Sequence, residues 1–123
     1  MIRIDYVNAK KIFDIEVNNE KQIITELFDE EESKKRLDAI DKKYIHTFEV
    51  VQDGIEATKE LGFNESTTDF TRIALMDHDI GRFAQMRHTG NYNDVALKEQ
   101  MGVKNHGELG KQILETKSYR TIT

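Results

Sequence analysis

Asp77-His78-Asp79 stands directly after the apolar run Ile73-Ala74-Leu75-Met76 and directly before Ile80-Gly81-Arg82-Phe83. Three ionisable side chains therefore adjoin a segment with the character of a buried helix. A carboxylate or imidazole taken out of water without a partner costs several kcal/mol. Core packing gives no reason for such a cluster, whereas a bound metal ion or phosphate group does.

The other three histidines carry weaker signals. His46 lies about 180° from the apolar stripe of its helix, near Glu49 and Asp53, so periodicity alone makes it a solvated residue. His88 falls in the polar stretch 87–94, where a surface role is the simplest reading. His106 sits just inside an expected helix N-terminus beside Gly107. Free backbone N–H groups and the helix dipole attract anions at such a place.

These residues must be positioned by a chain of 123 residues, enough for one compact domain with one core. Hydrophobic residues make up 37% and charged residues 33%, the balance of a globular protein with a heavily solvated surface. The net charge of −5 argues against nucleic acid as a partner, because binding a phosphate backbone wants a basic face. With no cysteine, disulfides, thiolate metal sites and thiol nucleophiles are excluded. No stretch approaches a membrane span, and Met1-Ile2-Arg3-Ile4-Asp5 lacks a signal peptide's apolar core, so a cytoplasmic protein is expected.

Proline is absent, which permits long helices, and period-two strand patterns are poor. The expected class is all-α. A first helix fits 6–28, with an interruption at Asn18-Asn19, and Asp29–Arg36 reads as a loop and a helix start. Leu37, Ile40, Tyr44, Phe48, Val51 and Ile55 recur at spacings of three and four and predict a helix over 35–61, ended by Gly62. Residues 64–69 read as a loop able to cap a helix expected over 68–79, and Gly81 allows a bend after it. Residues 87–94 read as a loop. A last helix fits 105–116, with Asn105 and Glu108 in capping-box spacing.

His46-Thr47 in a long helix, Met76-Asp77-His78-Asp79-Ile80-Gly81-Arg82-Phe83 after the next apolar segment, and Asn105-His106-Gly107-Glu108-Leu109-Gly110 downstream resemble the HD-domain superfamily. The resemblance runs from about Lys42 to Glu115, and the ordered set is far more specific than a bare His-Asp pair. It implies an all-α bundle and a metal-dependent phosphohydrolase acting on a nucleotide or other small phosphate ester. The family's metal ligands correspond to His46, His78 and Asp79, which are expected to converge. Imidazole and carboxylate donors suit Zn, Mn, Fe or Ni, with Mg less favoured as the histidine count rises. Asp79, Arg82 and His106 are the expected catalytic residues. Arg82 would neutralise charge developing on the phosphate, and His106 would bind a second metal or the phosphate itself. Asp77 or Glu49 would orient a ligand imidazole.

The sequence also departs from the family pattern. That pattern closes the metal site with an aspartate on a later helix, and this chain has no aspartate after Asp94. The expectation is an incomplete HD-like bundle, with a catalytically impaired remnant that binds metal or a phosphorylated ligand as the alternative function. An incomplete bundle would leave the 37–55 stripe uncovered, so a homo-oligomer, most simply a two-fold dimer, is expected.

Overall fold

The structure, a computed structural model, describes residues 5–116. Those residues form helices and no strand, as the all-α reading requires: α1 Tyr6–Leu27, α2 Glu30–Glu60, α3 Glu65–Asp77, α4 Gly81–Thr89, α5 Asp94–Met101 and α6 His106–Thr116. None of these helices is long and apolar enough to cross a membrane.

Helix α1 runs unbroken through Asn18-Asn19, because Phe13, Val17 and Ile24 on either side face one core. Helix α2 starts five residues before its expected position. Asp29 accepts a hydrogen bond from the Glu32 amide at 2.8 Å, and Glu30, Glu31 and Glu32 occupy the first turn, where acidic side chains oppose the dipole. The acidic run is therefore helix rather than loop. Buried Ser33 donates its hydroxyl to the carbonyls of Ile24 and Phe28 and closes the turn between the two helices.

Helices α1 and α2 pack antiparallel. Lys21 meets Asp41 at 2.7 Å, while Asp14, about two turns earlier on α1, accepts from the Tyr44 hydroxyl at 2.7 Å. Between them Phe13 stands edge-on to Phe48, with centroids 5.6 Å apart, and to Phe83 of α4 at 5.5 Å. Such edge-to-face contacts add about 1 kcal/mol each to simple burial. Ile24, Ile40, Val51, Met76, Ile80 and Met86 complete this core. The α2 stripe is thus covered within the chain: Ile40, Val51 and Ile55 are buried, and Leu37, Tyr44 and Phe48 pack against the same core. The expectation of an uncovered stripe is corrected, since α1, α3 and α4 close over it.

Asn64 caps α3 through the Thr67 amide at 2.8 Å, three residues ahead of the expected start. Gly62 ends α2 with φ +73°, a conformation that costs glycine little. The segment read as a loop, 87–94, divides: 87–89 finish α4, and Asn93 caps α5 through the Val95 amide at 2.8 Å. At α6, Asn105 accepts from the Glu108 amide at 2.9 Å, and Glu108 reaches back to the Lys104 amide at 3.3 Å. That reciprocal capping sets where His106 begins the helix.

Candidate functional site around Asp79

The site forms where three helix ends meet. His78 is the C-cap of α3, Asp79 lies in the turn before α4, and His106 opens α6. The turn is tight because Gly81 and Gly110 let α4 and α6 touch backbone to backbone. A Cβ on Gly81 would stand 2.3 Å from the His106 carbonyl oxygen and 2.7 Å from the Gly110 nitrogen. Gly81 therefore serves close helix contact, beyond the bend expected from sequence.

Asp79 is buried, with 6% of its surface exposed. Two imidazoles are aimed at its Oδ1: His78 Nε2 at 3.5 Å and His106 Nε2 at 3.9 Å. Both rings are engaged on their other side. His78 Nδ1 is in close contact with the Leu75 carbonyl, and His106 Nδ1 lies 3.1 Å from Asp94 Oδ2. A carbonyl and an ionised carboxylate can only accept, so each Nδ1 carries a proton, and in the neutral ring the lone pair is then left on Nε2. Asp79 Oδ1 thus has two imidazole nitrogens beside it.

His46 is not gathered with them. It is exposed on α2, flanked by exposed Ile45 and buried Thr47. Among the described residues no group of three or more His, Cys, Asp or Glu side chains forms a set that could hold a metal ion. The expected convergence of His46, His78 and Asp79 is therefore absent from this structure. The physical reason is the helical period: the stripe through Ile40, Tyr44, Phe48 and Val51 faces the core and leaves position 46 outward.

Arg82, expected against a substrate phosphate, is engaged within the chain. Its Nη1 donates to Gln85 Oε1 and the Tyr92 carbonyl, both at 3.0 Å, and reaches Asp94 Oδ1 at 3.5 Å. Its Nε is buried without a hydrogen-bond partner. The guanidinium holds the 90–94 segment against α4. Tyr92 in turn donates its hydroxyl to the Ala39 carbonyl at 3.0 Å. Burial, countered by Arg82 and reinforced by Asp79, pushes the Tyr92 hydroxyl up to about 12, so it stays a donor.

Asp94 is the residue that reading the sequence missed. It takes the His106 backbone N–H at 3.2 Å and the Gln85 side-chain amide at 3.3 Å, besides His106 Nδ1 and Arg82. Burial alone would raise its carboxyl. The hydrogen bonds and charge of His106, with the charge of Arg82, outweigh that and hold it below the usual carboxylate range. The available signal was Asn93-Asp94, a cap followed by an acid in the first turn, hidden inside a stretch read as loop.

Beside His78 opens an apolar groove of about 590 Å³ between α3 and α6. Phe70, Ile73, Ala74 and Leu114 line it, with Asp77, His78, Lys111 and Glu115 also on its wall.

Comparison with protein-family models, with curated proteins and with solved structures returns no match.

Proposed function

We propose that this chain is a metal-dependent phosphohydrolase of the HD-domain type, acting on a nucleotide or other small phosphate ester. The observation that carries the reading is the buried Asp79 carboxylate with two imidazole Nε2 atoms directed at it. A buried carboxylate such as Asp79 is costly unless a proton donor or a cation meets it. The donor chemistry suits a divalent ion of the Zn, Mn, Fe or Ni kind, with Mg less favoured. His78 and Asp79 would hold it, and His46 would join only by turning inward from its present outward position. Such an ion supplies charge for a phosphoryl oxygen and acidifies a bound water.

The residues themselves account for positioning. Asp79 and His78 are fixed by the α3–α4 turn, and His106 by the first turn of α6. The groove at His78 offers an apolar wall to the organic part of an ester, with Asp77 and His78 on its lining.

The alternative is an impaired remnant that binds metal or a phosphorylated ligand as a sensor. The outward placement of His46 is the observation that favours it. One experiment separates the two. The purified chain is analysed for bound metal, then assayed for phosphatase and phosphodiesterase activity with Mn²⁺, Ni²⁺ or Mg²⁺ added. Hydrolysis that requires added metal and disappears in Asp79→Ala supports the enzyme. Metal retention without hydrolysis supports the sensor. Neither retention nor hydrolysis overturns both.

A further inference from the structure

We infer that Asp94 is a positioning residue that fixes the tautomer and orientation of His106, so that the neutral His106 ring presents an unprotonated Nε2 toward Asp79. The importance of this for catalysis rests on the phosphohydrolase reading above, but the geometry stands apart from it.

The carboxylate grips His106 twice. Oδ1 takes the backbone N–H at 3.2 Å and Oδ2 faces Nδ1 at 3.1 Å. A single carboxylate spanning the main chain and ring of one residue leaves the imidazole little rotational freedom. Being ionised, it admits only a donor at Nδ1, which sets the neutral ring as the Nδ1–H form. Asp94 is itself held by Arg82 at 3.5 Å and Gln85 at 3.3 Å, and its segment is tied to α2 through Tyr92. The orienting group is thus anchored to elements other than the one it orients. His78 reaches the same end by another route, with the Leu75 carbonyl in place of the carboxylate. Two rings are aimed at one oxygen by two unrelated acceptors. A carboxylate or carbonyl that holds the far nitrogen of an imidazole is the usual way to commit its near nitrogen to a ligand.

The test is nitrogen-15 NMR of the imidazole rings at a pH above their titration, with His106 assigned by its loss in His106→Gln. The wild-type ring is expected to show the Nδ1–H pattern. Asp94→Asn preserves shape but places an amide N–H₂ group or a lone acceptor where two acceptors stood. With its oxygen kept on the backbone N–H, the amide donates to Nδ1, and the ring is expected to switch to Nε2–H. An Nε2–H tautomer in the wild type, or an unchanged tautomer in Asp94→Asn, overturns the inference. A role confined to holding helices together would alter unfolding and leave the tautomer as it was. Absence of any hydrolytic activity would sink the functional reading while leaving the tautomer result intact.

Discussion

Gly81 and His106 are joined by backbone contact: a Cβ at position 81 would lie 2.3 Å from the His106 carbonyl oxygen. The approach of α4 to α6, and with it the placing of His106 beside Asp79, depends on a missing side chain. Gly81→Ala brings two opposed effects. Alanine favours a helix over glycine by about 1 kcal/mol. A collision with backbone, which cannot rotate away, costs about 2–3 kcal/mol. The collision wins, so the variant should lose about 1–2 kcal/mol in urea unfolding. A variant as stable as wild type would mean that α6 shifts freely.

Arg82→Ala separates an anchoring role from a substrate role. Gln85, the Tyr92 carbonyl and Asp94 would all lose a charged donor, and stability should fall by about 2 kcal/mol. If hydrolysis is found, the loss should appear chiefly in kcat, through a misplaced His106. A rise in KM alone would restore the direct phosphate contact expected from sequence.

Much of the architecture was legible because it depends on period and caps. The α2 stripe, Gly62, and the Asn105–Glu108 pair each have one local explanation, and each holds in the structure. The short elements were harder to read. Helix α5 spans Asp94–Met101, and its only fully buried side chain is Leu97, so it leaves almost no periodic trace. Within the candidate site, Asp79 and His106 were visible as types at telling places. Asp94 was not, because its importance lies in contacts across twelve residues that no local pattern encodes.

Glu20 and Arg87 provide a pH test away from the site. Burial raises the Glu20 carboxyl, and the hydrogen bond and charge of Arg87 only partly offset this. A raised carboxyl means that the folded chain holds the proton more tightly than the unfolded one. Its stabilising contribution is present below the unfolded pKa and is lost as pH rises through the folded pKa. Glu20→Gln should remove that slope from the acid-to-neutral stability curve and be no less stable at neutral pH. Arg87→Ala strands the charge and should cost about 3 kcal/mol. A steeper slope in Glu20→Gln would show the sign to be wrong.

The uncovered apolar surface at the groove bears on self-association. Phe70 is 71% exposed there, beside Ile73, Ala74 and Leu114. Contiguous apolar surface of this kind commonly marks an interface, and the simplest closed solution is a two-fold dimer with groove facing groove. Sedimentation at micromolar concentration should then give a dimer for the wild type. Phe70→Glu should give a monomer whose unfolding is otherwise little changed, because an exposed position contributes about 0.5 kcal/mol or less. A dimer untouched by Phe70→Glu would move the interface elsewhere on the surface. A wild-type monomer would sink the dimer and leave the groove open beside His78.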